Sequence, residues 1–228
     1  AIVLCRRQWT ATNLGERIVM LSKICGLTRQ EDVDEAARLG ARFCGFIFHP
    51  KSPRSIAPEQ AARLQSGSMQ RVGVFVEQNA GEIARIMREA RLDLAQLHGG
   101  QSVACARDVG AERVIRVLWP DRYMHRALLH NELQKYAETC AWYLLDAGLA
   151  GGGSGRRLEW QDLYGLRAPH PWLLAGGLNA DNVERALKQC APDGVDFNSG
   201  IEDAPGRKNL RKMAAAVRAA AQPKATGK

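Results

Sequence analysis

The sequence lacks the closely spaced cysteines and histidines that bind metal ions or form redox centres. Its six cysteines lie far apart, with no Cys-x-x-Cys pair, at positions 5, 25, 44, 105, 140 and 190. This spacing argues against a zinc knuckle and a redox dithiol, and it indicates a reducing compartment. Four histidines also show no metal-ligand spacing, at positions 49, 125, 130 and 170. We therefore expect no metal ion, no cofactor and a cytoplasmic location.

Long apolar runs are lacking as well. No segment approaches the roughly 18–20 apolar residues that a membrane helix needs. The first residues do not follow the order of a signal peptide, because the apolar stretch is too short and an arginine pair follows it. We expect no membrane partner. Residues 1–19 are interpreted as an N-terminal extension, irregular or non-native, before a domain at 20–221 and a basic tail at 222–228.

The positive charge is confined to the two ends of the chain. The net charge is +8, of which residues 207–228 carry +7 and residues 1–22 carry +2, leaving −1 for residues 23–206. A nucleic-acid-binding body would carry a basic stripe with aromatic side chains for stacking. We therefore expect no nucleic-acid partner. A basic RNA-binding protein remains the non-enzymatic alternative.

Eight strand-like runs recur along the chain with helical patterns between them. The runs are Met20–Cys25, Phe43–Phe48, Arg71–Val76, Leu92–Leu97, Arg113–Leu118, Trp142–Asp146, Trp172–Ala175 and Gly194–Asn198. They are dominated by apolar residues without strict alternation, which is typical of parallel strands buried on both faces. Between them, Thr28 with Glu31 forms a capping-box pattern, and Asn79 and Asn179 are predicted N-caps.

This alternation predicts a single α/β domain, a (β/α)8 TIM barrel whose active site lies at the C-terminal face. A doubly wound open sheet is the alternative, because periodicity alone does not separate the two folds.

Polar residues concentrate where the strands end. Cys25 ends the first strand, where a thiol suits either catalysis or a buried core position, since free cysteine is among the most buried residue types. Asp146 ends the sixth strand after three apolar residues. Burial there favours a raised pKa for its carboxyl group and a general-acid role. A helix cap or turn residue is the alternative reading of Asp146.

Two glycine-bearing loops follow the seventh and eighth strands. The first contains Gly176 and Gly177, and the second contains Asn198, Ser199 and Gly200. Glycines let backbone N–H groups approach an anion closely, and loops at this place in a barrel commonly bind phosphate. A tight turn without a ligand is the alternative for either loop. Together the loops predict a phosphate site.

Three further segments supply candidate substrate contacts. Arg54 lies in a proline-flanked loop that could aim its guanidinium at a carboxylate, although a solvated arginine is the alternative. His98 precedes two glycines and is either a substrate contact or a structural hydrogen bonder. Residues 151–155, which include Gly153 and Ser154, either close over a ligand or act as a connector.

Taken in order, these segments resemble the phosphoribosylanthranilate isomerase family, barrel enzymes of tryptophan biosynthesis. The resemblance covers the chain from Lys23 to about Lys212. It is carried chiefly by Lys23-Ile24-Cys25-Gly26-Leu27-Thr28, Ser52-Pro53-Arg54, Gln96-Leu97-His98-Gly99, Leu144-Leu145-Asp146, Ala175-Gly176-Gly177-Leu178 and Asp196-Phe197-Asn198-Ser199-Gly200.

The resemblance implies an Amadori rearrangement of N-(5-phosphoribosyl)anthranilate to 1-(2-carboxyphenylamino)-1-deoxyribulose 5-phosphate. It gives Cys25 the role of general base and Asp146 that of general acid. It also implies that Arg54 binds the anthranilate carboxylate and that the two late loops hold the phosphate. The partner is then a small phosphorylated sugar substrate. We expect a monomer rather than a dimer.

Two residues depart from the family's pattern. Arg116 stands where a lysine is usual on the fifth strand, and Asn209 stands where an aspartate is usual. The related histidine-pathway sugar isomerase is the enzymatic alternative, because it performs the same rearrangement on a barrel. That family has an aspartate where this chain has Cys25.

Overall fold

Eight parallel strands form a closed barrel. The structure, a computed structural model, describes residues 20–147 and 160–221, so the predicted extension 1–19 and tail 222–228 lie outside it. The strands are β1 (Leu21–Ile24), β2 (Phe43–Ile47), β3 (Gln70–Phe75), β4 (Leu94–Leu97), β5 (Val114–Leu118), β6 (Trp142–Asp146), β7 (Trp172–Ala175) and β8 (Gly194–Phe197). Neighbours pair in chain order and β8 pairs with β1. The barrel prediction is confirmed, and the open-sheet alternative is wrong.

Within the described residues, α-helices follow all of the barrel strands except β6, and only a short 3-10 helix, Trp160–Leu163, lies between β6 and β7. The α-helices are α1 (Gln30–Arg38), α2 (Pro58–Arg63), α3 (Ala80–Glu89), α4 (Val103–Val109), α5 (Arg126–Tyr136), α6 (Val183–Cys190) and α7 (Leu210–Ala220). A short hairpin of β9 (Glu202–Ala204) and β10 (Arg207–Lys208) lies between β8 and α7. Within the described ranges, no helix is both long enough and apolar enough to cross a membrane.

The helix-start predictions are partly confirmed. Asn79 accepts a hydrogen bond from the backbone N–H of Glu82 at 3.0 Å, and the Glu82 carboxylate accepts one in return. This reciprocal pair is a capping box. Thr28 does not cap α1, because its hydroxyl donates to the carbonyl of Gly206 at 3.1 Å. The N-cap position belongs to Arg29, which makes no side-chain capping bond.

Alternate strand residues point into the barrel. Phe43 on β2 and Trp142 on β6 belong to strands that do not pair, yet their ring centroids are 5.5 Å apart. This contact therefore crosses the barrel interior. The apolar cluster around it contains Phe43, Val72, Leu94, Ile115, Val117, Trp142, Leu144, Leu173 and Ala175. The same two-residue period directs Cys25, His98 and Asp146 toward the mouth.

Candidate active site

A cavity of about 370 Å³ opens at the carboxyl ends of the strands. Its volume lies in the range typical of small-molecule sites. Seven of the predicted site residues line it: Cys25, His98, Asp146, Gly176, Gly177, Asn198 and Ser199. Gly153 and Ser154 lie outside the described residues. Within residues 20–147 and 160–221, no group of three or more His, Cys, Asp or Glu side chains could hold a metal ion.

Cys25 lies directly after β1 at the cavity wall. The residue is only 3% exposed, and its backbone N–H donates to the carbonyl of Phe197 at 2.8 Å. Burial raises the pKa of the Cys25 thiol, while the neighbouring Lys23 ammonium opposes that rise. The thiol therefore depends on nearby positive charge to ionise.

A buried ion pair lies beneath Cys25. Lys23 on β1 and Asp196 on β8 are register partners, and the lysine Nζ is 3.0 Å from both carboxylate oxygens. Burial acts to lower the pKa of Lys23, but the Asp196 and Cys25 charges outweigh it, so the pKa is raised. Burial raises the pKa of Asp196, and Lys23 opposes that change. Lys23 consequently stays cationic inside the barrel.

His98, which follows β4, lies between Gln96 and Asp146. Gln96 Nε2 is 3.1 Å from His98 Nδ1. Which of the two ring nitrogens donates depends on the tautomer of the imidazole. His98 Nε2 is 4.0 Å from Asp146 Oδ2. Burial lowers the pKa of His98 to about 4, and Lys23 adds to this effect, so the imidazole is neutral at neutral pH.

Arg54 lies behind the cavity wall and is held by a carboxylate. Its Nε and Nη2 donate to Glu202 on β9, with distances from 2.7 to 3.1 Å. A Cβ added to Gly26 would lie 2.9 Å from both Arg54 Cδ and Asn198 Oδ1, so Arg54 borders a cavity residue without lining the cavity. Glu202 takes one edge of the guanidinium fork, and the opposite edge, with Nη1, is the one that a second carboxylate can bind.

Lys208 on β10 fixes the loop after β8. Its Nζ donates to the Asn198 carbonyl at 3.1 Å, to Asn198 Oδ1 at 2.8 Å and to Glu202 Oε1 at 2.8 Å. Although burial acts to raise it, hydrogen bonds from Arg54 and Lys208 hold the pKa of Glu202 below its usual value. Glu202 is therefore ionised and joins Arg54 to the Asn198 loop through two charged contacts.

The two glycine-bearing loops pack against each other. Gly176 and Gly177 have φ values of +109° and +62°, in the region that residues with side chains rarely adopt. A Cβ on Gly200 would collide with the carbonyl oxygen of Leu178, so the second loop touches the first directly. Gly200 itself does not line the cavity. Glycine at these positions gives the loops both their shape and their close contact.

The helix after these glycines begins later than predicted. Helix α6 starts at Val183 with Asn182 as its N-cap residue, so the prediction of Asn179 as the cap is wrong. The Asn179 side chain instead accepts from the Asp181 N–H at 2.9 Å within the preceding turn. Asn182 donates to the Gly177 carbonyl at 3.0 Å and accepts from the Asn179 N–H at 2.9 Å. These bonds fix the glycine loop from behind.

The chain matches known proteins over almost all of its described length. The family model described as N-(5'-phosphoribosyl)anthranilate (PRA) isomerase matches residues 22–219. The chain belongs to the N-(5'-phosphoribosyl)anthranilate isomerase family. It is therefore an enzyme, an isomerase of tryptophan biosynthesis. The RNA-binding and histidine-pathway alternatives are not supported.

Individual N-(5'-phosphoribosyl)anthranilate isomerases agree with this assignment. One from Desulfovibrio desulfuricans is 71% identical over 205 residues, covering 90% of this chain and 97% of that protein. One from Maridesulfovibrio salexigens is 43% identical, covering 89% and 99%. A solved phosphoribosyl anthranilate isomerase in complex with reduced 1-(o-carboxyphenylamino)-1-deoxyribulose 5-phosphate has 30% identity and a TM-score of 0.75, covering 88% and 98%.

Sequence reasoning missed several charged residues of the isomerase site. Lys23 and Asp196 were noted only as parts of motifs, and Glu202 was not singled out. Lys208 was counted only as part of the basic C-terminal region. One signal was available: Lys23 and Cys25 share a strand face because they are two residues apart. A lysine within an apolar parallel strand needs a buried partner.

The two departures from the family pattern lie away from the cavity of this isomerase. Arg116 is 2% exposed, its Nη1 donates to the Gln101 carbonyl at 2.9 Å, and its guanidinium lies 4.3 Å from the Tyr136 ring centre. Asn209 is the N-cap residue of α7 and accepts from the Lys212 N–H at 2.9 Å. Asparagine caps helices as well as aspartate does. Neither residue lines the cavity.

Proposed function

We propose that this chain converts N-(5'-phosphoribosyl)anthranilate to 1-(o-carboxyphenylamino)-1-deoxyribulose 5-phosphate, with Cys25 as general base and Asp146 as general acid. The observation that carries the proposal is that both side chains line one cavity, together with residues of both late loops. A solved relative binds the reduced form of this product. The cavity holds a thiol and a carboxyl group, as acid–base catalysis requires.

The rearrangement then proceeds in two proton transfers. Asp146 protonates the furanose ring oxygen, the bond from C1 to that oxygen breaks, and a C1 iminium forms. The positive charge acidifies the proton on C2, and the Cys25 thiolate removes it. The C2–H electron pair becomes the C1=C2 bond of an enolamine, which tautomerises to the ketone. Tautomerisation moves a proton from the C2 hydroxyl to C1. Cys25 has gained one proton and Asp146 has lost one, so the site is reset when Cys25 gives up its proton and Asp146 takes one up.

His98 has a supporting role in this proposal. A neutral imidazole with its proton on Nε2 can donate to the Asp146 carboxylate or to a substrate oxygen. Gly153 and Ser154 remain predicted substrate contacts.

The direct test is turnover of the substrate by the purified full chain. Loss of the anthranilate-type fluorescence of the substrate should be proportional to enzyme concentration. Absence of any turnover by folded protein, at substrate concentrations that saturate a characterised relative, would overturn the proposed reaction.

The phosphate loops predict a specific binding defect. Gly177→Val should raise KM about tenfold or more with a smaller change in kcat, because a branched side chain is strained at positive φ and blocks close approach to an anion. Inorganic sulfate should compete with substrate in the unchanged protein. Steady-state kinetics with and without sulfate measure both effects.

Ala180→Val, three residues further along, is the matched control and should leave KM unchanged. The phosphate site lies elsewhere if sulfate does not compete and Gly177→Val binds substrate normally.

Replacement of Arg54 should weaken binding of the anthranilate carboxylate of the substrate. Arg54→Lys keeps the positive charge but loses the pair of N–H groups that can bind both oxygens of a carboxylate. KM should therefore rise about tenfold or more while kcat falls less. Arg63→Lys, at an exposed arginine that ends α2, should change neither constant. A fall in kcat at unchanged KM would contradict the assignment of Arg54 to the carboxylate.

We also propose that the enzyme is a cytoplasmic monomer. Five cysteines of the described residues are free thiols, which supports a reducing compartment. Large apolar side chains with substantial exposure are few within the described ranges, namely Met124, Leu128, Tyr164 and Leu210. A solved relative from Thermotoga maritima is described as dimeric. Sedimentation of the full chain as a dimer would contradict the proposal.

A further inference from the structure

A lysine lies in the barrel interior where charge is costly. Lys23 is 0% exposed, and Asp196 is 7% exposed. Taking a charged group out of water costs several kcal/mol unless a partner compensates it. The two 3.0 Å contacts to Asp196 supply that compensation. Well-packed apolar side chains are often as stable as a buried ion pair, so stability alone gives this pair no clear advantage.

The Lys23 ammonium also faces the Cys25 sulfur. Lys23 and Cys25 are two positions apart, so their side chains point to the same side of the sheet. A Cβ added to Gly45 on β2 would lie 2.9 Å from Cys25 Sγ and 3.2 Å from Lys23 Nζ. Both atoms thus border the same small volume above Gly45. Because Gly45 has no side chain, the sulfur and the ammonium can lie beside each other.

Four charged groups act on Cys25 from the elements packed around it. Burial is the largest influence and raises the pKa of the thiol. Lys23 on β1 and Lys208 on β10 lower that pKa, whereas Asp196 on β8 raises it. The Cys25 thiolate raises the pKa of Arg54, which follows β2, so the Arg54 charge in turn favours the thiolate. Lys23 is the strongest of the groups that favour the thiolate.

We propose that Lys23 is a positioning residue that holds positive charge against the Cys25 sulfur, and that Asp196 limits the strength of this effect. The inference deepens the proposed function, because it explains how a buried thiol serves as a base. Cys25 lines the cavity, so a small reagent can reach it. Its ionisation is therefore measurable without turnover.

The two members of the ion pair should act on Cys25 in opposite directions. Lys23→Met removes the charge that favours the thiolate, so Cys25 should react with iodoacetamide about tenfold more slowly, or slower still, at neutral pH. Asp196→Asn removes the opposing charge, and the Cys25 thiolate becomes the counter-ion that keeps Lys23 protonated, so the same reaction should become faster. In Lys23→Met, Asp196 loses its partner and can take up a proton, which by itself would lower the pKa of Cys25. Lys23 has a larger effect on that pKa than Asp196, so alkylation of Lys23→Met should still be slower.

The experiment follows alkylation of the Cys25 peptide across a range of pH by mass spectrometry in the full chain. Each variant breaks the same ion pair, so a purely structural role would change both rates in the same direction. Lys23→Arg keeps the charge and should restore most of the reactivity that Lys23→Met loses. Lys188→Met, which breaks the exposed pair with Glu184 on α6, should have no effect.

The proposal is overturned if both variants slow alkylation, or if neither changes it. If Lys23→Met does not fold, Asp196→Asn decides alone, with faster alkylation supporting the proposal and slower or unchanged alkylation contradicting it. Failure of the proposed function has a different signature, namely that Cys25→Ser retains turnover. The thiol titration does not depend on that result, so the two failures are distinguishable.

Discussion

Cys25→Ser should lower kcat by about 10²- to 10⁴-fold, with KM and the free energy of unfolding nearly unchanged. Serine keeps the shape of the side chain, but its hydroxyl hardly ionises near neutrality, whereas an ordinary thiol titrates at about 8.5. General-base catalysis typically contributes roughly 10²–10⁴-fold, or about 3–5 kcal/mol of barrier. Steady-state kinetics from substrate fluorescence, with thermal unfolding of the same samples, measure both quantities.

Cys44→Ser is the matched control for this variant. Cys44 is a buried free thiol on the neighbouring strand β2, and it belongs to the core cluster outside the barrel interior. Burial raises the pKa of Cys44 to about 11. Its replacement should leave kcat nearly unchanged. If Cys25→Ser retains more than about a tenth of kcat, a loss smaller than general-base catalysis supplies, Cys25 is a core residue and the base lies elsewhere.

Asp146→Asn should reduce kcat by a comparable factor, about 10²–10⁴-fold, with little change in KM. Asparagine has nearly the same size but no proton of suitable acidity to give to the ring oxygen. Without that proton the ring does not open, and the C2 proton stays unactivated for Cys25. Steady-state kinetics of this variant, beside binding of a reduced product analogue, separate loss of chemistry from loss of affinity.

Asp193→Asn is the control for a carboxylate outside the cavity. Asp193 lies just before β8, and its Oδ2 accepts from the Trp172 N–H at 2.9 Å at the start of β7. This variant should keep kcat, because an asparagine oxygen can accept the same bond. If Asp146→Asn instead raises KM at unchanged kcat, Asp146 anchors the substrate and another group is the acid.

The sequence allowed the barrel and much of its site to be predicted because the relevant signals are local. Each strand is a short apolar run, and the residue that follows it belongs to the mouth of the barrel. Cys25 and Asp146 could therefore be placed in one cavity from their strand positions alone. The Asn79 cap was readable for the same reason, since its partner is three residues away.

Contacts between segments that are distant in the sequence could not be predicted in the same way. Glu202 holds Arg54 across 148 residues of sequence, and no local pattern links the two. The error at Thr28 has this origin as well, because the hydroxyl that should have capped α1 bonds to Gly206 instead. Local propensity gave a plausible partner for Thr28, and the hairpin packed beside it supplied a better one.

The Lys23–Asp196 pair links barrel closure to the order in which the chain is synthesised. Its members lie on the first and last strands, 173 residues apart, and they meet only when β8 closes against β1. A partly synthesised chain without β8 has Lys23 but no carboxylate to pair with it in that position. The step that completes the sheet is therefore also the step that pairs Lys23 with its counter-ion. An incomplete barrel would contain Cys25 and Lys23 without the carboxylate that moderates the effect of the lysine on the thiol.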